Sequence, residues 1–125
     1  MKKLILVVIW GTFLTGGQQR SAAVEHIVGN STWTIPASNS YYNDWARNTT
    51  FLVGDDLVFK FETGFYDMIQ VSREEYEGCR YENPYRSFVI GPAKITFREE
   101  GTFYYLCSFG NYCSLGMNFY VYVQA

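Results

Sequence analysis

Residues 107–117 read CSFGNYCSLGM, with a cysteine thiol and a methionine thioether at the two ends of one short loop. A thiolate and a thioether are soft ligands of the kind copper prefers, and a blue-copper centre adds two imidazoles to them in a trigonal plane. This loop contains no histidine, and Tyr112 stands in its middle. A phenol, with a pKa of about 10, is protonated at neutral pH and is a poor substitute for an imidazole. The chain has a single histidine, His26, far from the loop in sequence. The sulfurs therefore have three readings. Cys107 and Met117 can be packing residues, as buried free cysteine and methionine commonly are. They can form a residual soft site that holds Cu(I) weakly. Cys107 can also be a redox-sensing or intermolecular thiol, although no basic residue lies within five positions to lower its pKa.

Catalytic chemistry finds little else to use. His26 on an alternating segment reads as a strand residue rather than a general base. The adjacent acid pairs Asp55-Asp56, Glu74-Glu75 and Glu99-Glu100 fall at turns or on a short helix and read as solvated charges. A glycosidase needs two carboxyls about 5 to 10 Å apart across a cleft, which sequence neighbours seldom supply. There is no nucleophile elbow, phosphate loop or zinc signature. The chain reads as a non-enzyme.

The elements that would position the loop are strands. Short apolar or alternating runs at 24–28, 51–53, 57–61, 68–71, 88–90, 94–97, 102–107 and 117–123 are separated by turn signals such as Gly54-Asp55-Asp56 and Gly91-Pro92. Only 38–46 and 72–78 look helical, and Ser72 followed by Glu75 is a capping-box pattern. Many short strands with one or two short helices predict an all-β sandwich or barrel. If Phe119, Val121 and Val123 face the core, Tyr120 and Tyr122 face the other way. Tyrosines on that outer face serve cross-strand pairing, or form a platform that stacks on sugar rings.

The first 23 residues read as a secretory signal peptide: Met1-Lys2-Lys3, then the apolar run LILVVIWGTFLTG, then Ser21 and Ala23 at a cleavage site. The run is short for a membrane span of about 20 apolar residues. One domain is expected over 24–125. Without the leader, 7 basic residues face 12 acidic ones. That balance argues against nucleic acid and against electrostatic attachment to anionic lipid. Residues 124–125 end the chain without the spacer and apolar tail of a lipid-anchor signal, so a secreted, extracellular product is expected. Two sequons, at Asn30 and Asn48, suit that compartment. Secretion makes Cys79, Cys107 and Cys113 eligible for disulfides, and an odd count leaves one thiol free or paired between chains.

The spaced pattern Tyr42-x-x-Trp45-Ala46-x4-Phe51-x-x-Gly54-Asp55-x-Leu57-x-Phe59 resembles the first half of the phytocyanins, the plant cupredoxins. Val71-x4-Tyr76-x2-Cys79 and Cys107-x4-Tyr112-Cys113-x2-Gly116-Met117 resemble the family's first disulfide segment and its copper loop. The resemblance covers essentially all of 24–125. It implies a cupredoxin-like Greek-key β-sandwich and a Cys79–Cys113 bridge, with Cys107 left over. The family's type 1 copper ligands, two histidines, a cysteine and an axial methionine or glutamine, map onto Tyr66, Tyr112, Cys107 and Met117. Both histidines are absent. Without them the expected protein is a member that has lost type 1 copper and works by binding an extracellular protein, a cell-wall glycan or a glycoprotein, with Tyr66 and Tyr112, on loops of a rigid scaffold, as the contact surface. The alternative is a copper-binding electron-transfer protein using Cys107 and Met117.

Overall fold

A computed structural model describes residues 22–125, so the leader expected over 1–23 lies almost wholly outside the described residues. Two sheets face each other. Strands β1 (Glu25–Ile27), β3 (Asp56–Phe59) and β6 (Ala93–Thr96) form a three-stranded sheet in the order β1-β3-β6. Strands β2 (Phe51–Leu52), β4 (Met68–Val71), β5 (Arg86–Phe88), β7 (Gly101–Leu106) and β8 (Asn118–Gln124) form a five-stranded sheet in the order β2-β8-β7-β4-β5. Two pairs, β1 with β3 and β2 with β8, run parallel, and the remaining pairs are antiparallel. Helices α1 (Tyr41–Arg47) and α2 (Arg73–Glu77) are short. The expected all-β sandwich is the fold, and among the described residues no helix is long and apolar enough to cross a membrane.

Alternation explains the core. Phe119, Val121 and Val123 of β8 are buried, while Tyr120 and Tyr122 are exposed on the outer face. Between the sheets Trp33 is fully buried against Tyr42, Phe59 and Phe119, with ring centroids 4.8 to 5.6 Å apart. Its indole N–H donates to the carbonyl of Asp67 at 2.8 Å, so the largest core side chain has no orphaned polar atom. A second, smaller cluster of Ile69, Val71, Leu106 and Cys113 lies on the other face of the large sheet.

Three expectations are corrected. The strand expected at 88–90 is β5 at Arg86–Phe88, because backbone pairing with β4 places Arg86, Ser87 and Phe88 opposite Gln70, Ile69 and Met68. Val89 and Ile90, the apolar residues behind that expectation, are exposed. Asp55 is not a solvated charge. It is fully buried, accepts the amides of Val24 (3.1 Å) and Leu52 (3.0 Å), and meets His26 Nε2 at 2.8 Å. Glu75 is buried too. The Ser72 hydroxyl accepts the Glu75 amide at 3.2 Å, as an N-cap should, but the Glu75 carboxylate accepts the amides of Glu82 and Asn83 at 2.9 and 3.1 Å. Glu99 and Glu100 are exposed, as expected.

Glu75 therefore ties the segment after α2 to the helix. Glu75→Ala leaves those two amides without their acceptor, and a charge-assisted bond contributes about 1.5 to 3 kcal/mol. The expected loss is about 2 kcal/mol in denaturant unfolding. A variant as stable as wild type would show that water replaces the carboxylate there.

Candidate functional site at the loop end

The β3–β4 and β7–β8 loops converge at one end of the sandwich and bring Tyr66, Cys107, Tyr112 and Met117 together. Cys107 follows β7 directly, and Met117 directly precedes β8. The Cys107 amide donates to the Met117 carbonyl at 3.1 Å, which extends the β7–β8 ladder by one step and closes the loop. Within it the Tyr112 amide donates to the Phe109 carbonyl (2.9 Å) and the Met117 amide to the Tyr112 carbonyl (3.0 Å). Gly116 is required by this path. Its φ is +114°, and a Cβ there would sit 2.8 Å from Pro36 and 2.9 Å from the Asn39 backbone.

The Tyr66 and Tyr112 rings meet with centroids 5.9 Å apart, and Phe109 packs on Tyr112 at 6.3 Å. Both tyrosines are half-buried and pack against the main core. The Thr34 hydroxyl donates to the Tyr66 phenol oxygen at 2.7 Å. Cys107 and Met117 are buried beneath them, and Cys107 is the free cysteine. Burial pushes the Cys107 thiol up to about 11; the backbone amides of Asp67 and Phe109 act in the opposite direction and the nearby Asp67 carboxylate adds to the rise. At neutral pH the sulfur is a thiol.

Asp67, which the sequence did not single out, binds the site's two halves. It is buried, accepts the Ser108 amide at 2.8 Å, and takes the Ser108 hydroxyl as well. Residues 66–67 and 107–108 are thus clamped together over 41 positions of chain. Cys79 and Cys113 are bridged. His26 lies outside the site, paired with Asp55 and packed edge-on against Phe51 at 4.8 Å.

Beside Tyr66 a groove of about 470 Å3 runs between Trp33, Thr34, Phe61 and Pro92. Large apolar side chains on the flanking loops are exposed, among them Phe65 (59%), Ile90 (70%), Ile35 and Leu115. The sequon asparagines are elsewhere. Asn30 ends a 3-10 turn (Val28–Asn30) and its side-chain oxygen accepts the Trp45 indole N–H at 3.2 Å. Asn48 caps the C-terminus of α1, where its side-chain amide donates to the Asp44 carbonyl at 2.9 Å. Both are exposed at the surface, at the ends of helical turns rather than in open loops.

Residues 33–117 match the family model described as a plastocyanin-like domain. The chain belongs to the phytocyanin family. It is 36% identical over 104 residues to the blue copper protein of Arabidopsis thaliana, covering 82% of this chain and 53% of that protein. It is 34% identical over 99 residues to Arabidopsis thaliana early nodulin-like protein 14, covering 77% and 54%. The chain thus spans about half the length of these relatives. Among solved structures, cucumber stellacyanin with Cu2+ superposes with a TM-score of 0.77 at 29% identity, covering 83% of this chain and 97% of that one. Copper binding is a property of this cupredoxin family. The present phytocyanin brings two phenols, a thiol and a thioether together at its loop end.

Proposed function

We propose that this phytocyanin is an extracellular binding protein whose loop end takes a protein partner, and that it does not carry electrons through type 1 copper. One observation carries the reading: the half-buried tyrosines Tyr66 and Tyr112 stand together at the two positions that the family resemblance assigns to imidazoles. The donor set does not fit a type 1 centre. Two equatorial nitrogens are required, whereas Tyr66 and Tyr112 offer only phenol oxygens and Cys107 a thiol whose pKa burial raises. The surroundings support a contact surface. Exposed Ile35 and Phe65 directly adjoin the groove residues Thr34 and Tyr66 in the chain, with Thr34, Lys60 and Glu62 as the groove's polar edge. An apolar patch with a polar rim on loops held by a rigid sandwich is the usual make-up of a protein-binding site. The leader read in the sequence supports secretion, and the name early nodulin-like protein 14 shows that similar chains are not all named for copper.

Two measurements test this. The secreted protein, titrated with Cu(II), is expected to develop no intense visible band. Tyr66→Ala and Tyr112→Ala are each expected to remain folded, since half-buried aromatics cost less than the about 3 to 5 kcal/mol of fully buried ones, while losing capture of a protein partner from extracellular extract. A blue wild-type protein would overturn the copper half of the proposal and favour Cys107 and Met117 as ligands. Undiminished capture by both variants would remove the site, and capture of wall glycan alone would change the class of partner.

A further inference from the structure

A second site lies at the open edge of the sandwich and shares no residue with the groove at Tyr66. Arg86 on β5, Gln70 on β4 and Tyr105 on β7 stand directly opposite one another across three neighbouring strands. Residues paired in this way project to the same face of the sheet. For Tyr105 that face is the core, where its ring packs on Phe59 and Phe119 at 5.5 and 5.3 Å. Strand β5 ends the large sheet. There a cleft of about 290 Å3 opens, with Gln70, Arg86 and Tyr105 on one side, Arg98 and Glu99 on the other, and Phe103 beside them.

Two features of this cleft lack partners. Tyr105 is only 1% exposed, yet its hydroxyl makes no hydrogen bond among the described residues. Buried polar groups are nearly always paired, so an orphan at the wall of a cleft points to a ligand. Burial also holds that phenol far above its ordinary pKa, so it stays a hydrogen-bond donor. Arg86 and Arg98 make no ion pair among the described residues, whereas Arg47, Arg73 and Arg80 each pair with a carboxylate.

We propose that this cleft binds a carboxylated sugar, a uronic acid unit, with its carboxylate on Arg86 and Arg98 and its hydroxyls on Gln70 and Tyr105. The charges select the class. Two guanidinium cations facing the single carboxylate of Glu99 leave one net positive charge, which matches a monoanion and disfavours a phosphate dianion. The depth selects a hydroxyl-rich body behind the carboxylate. A simple inorganic anion held between the exposed arginines would leave the Tyr105 hydroxyl unpaired. The Phe103 ring offers an apolar face to the C–H side of a sugar, and Glu99 accepts a hydroxyl. The volume lies just under the range of about 300 to 1,000 Å3 for small-molecule pockets, which suits one sugar unit.

Calorimetric titration of the secreted protein with trigalacturonate, with neutral galactotriose and with inorganic sulfate and phosphate tests the assignment. Trigalacturonate is expected to bind saturably, more weakly as salt rises, and at least tenfold more tightly than galactotriose or either inorganic anion. Tyr105→Phe removes one hydroxyl and no packing. It should keep or raise the melting temperature while weakening trigalacturonate about fivefold, the worth of one neutral hydrogen bond. The pair Arg86→Gln with Arg98→Gln should abolish binding, and Arg73→Gln, an exposed arginine on α2, should leave it intact. Equal binding of galactotriose, equal binding of sulfate or phosphate, unchanged affinity in Tyr105→Phe, or no binding of trigalacturonate would each overturn the proposal. None of these outcomes bears on partner capture at Tyr66 and Tyr112.

Discussion

Changing Tyr66→His together with Tyr112→His is expected to convert a colourless protein into a blue one on addition of Cu(II). The loop's path is set by the Cys107–Met117 bond, by Gly116 against Pro36 and Asn39, and by the Asp67 clamp on Ser108. None of these depends on the two phenols. The imidazoles would replace rings that already lie 5.9 Å apart, with the sulfurs of Cys107 and Met117 buried beneath them. Two imidazoles, a thiolate and a weak thioether are the set that gives an intense thiolate-to-copper band. The thiol must lose its proton to join, and a metal drives that step where the protein alone does not.

Each single change should give a weak or unstable centre, because one equatorial nitrogen is still missing. Adding Cys107→Ala to the double variant should erase the colour entirely. The cost in stability is small. Tyr66→His gives up the bond from Thr34, about 1 kcal/mol, and both rings are only half-buried. Absorption spectroscopy with thermal melting reads both outcomes. A double variant that melts near wild type yet stays colourless would mean that the loop has drifted from copper geometry while keeping its hydrogen bonds. The four residues would then be a resemblance of position only.

How far the sequence could be read depended on which physical signal each residue carried. The β8 alternation was legible because period two is a property of the strand itself, and Tyr120 and Tyr122 are indeed on its outer face. Ser72 was legible as a cap because capping is local. Asp55 and Glu75 were not legible, since their burial depends on amides brought from elsewhere: Val24 for one, Glu82 and Asn83 for the other. An acid beside another acid looks solvated until those amides are placed. Asp67 escaped for the same reason, its partner Ser108 being 41 residues away. Strand β5 was displaced because apolar composition pointed to Val89 and Ile90, whereas an edge strand is chosen by the ladder it can extend and tolerates Arg86 and Ser87. The row Arg86–Gln70–Tyr105 needs the register of two strand pairs, which no local pattern encodes.

Removing the Cys79–Cys113 bridge is expected to cost about 4 kcal/mol of stability. The cysteines are 34 positions apart, and in the chain-entropy model closing a loop of that length stabilises by about 4 kcal/mol. Domains of this size are stable by about 5 to 15 kcal/mol in total. The double change Cys79→Ala with Cys113→Ala should therefore lower the melting temperature by about 15 to 30 °C, at about 4 to 8 °C per kcal/mol. Denaturant unfolding checks the same loss, and peptide mapping without reductant checks the pairing. Cys107 is poorly placed to take over. It sits in the main core, whereas Cys113 packs with Ile69, Val71 and Leu106 in the cluster on the other face of the sheet. Pairing those two would pull one of them out of its cluster. Cys79, just past the C-cap of α2, has φ +50°, a left-handed conformation that a side chain adopts at a cost, so Cys79→Gly with Cys113→Ala should recover part of the lost stability. Cys113 is the neighbour of Tyr112, so the bridge anchors the loop end to α2 through a single residue step. Loss of partner capture in the bridge-less protein, at a temperature where it remains folded, would show that this anchor fixes the contact surface as well as the fold. A melting temperature within a few degrees of wild type would instead mean that the unfolded chain is compact enough for the bridge to constrain little.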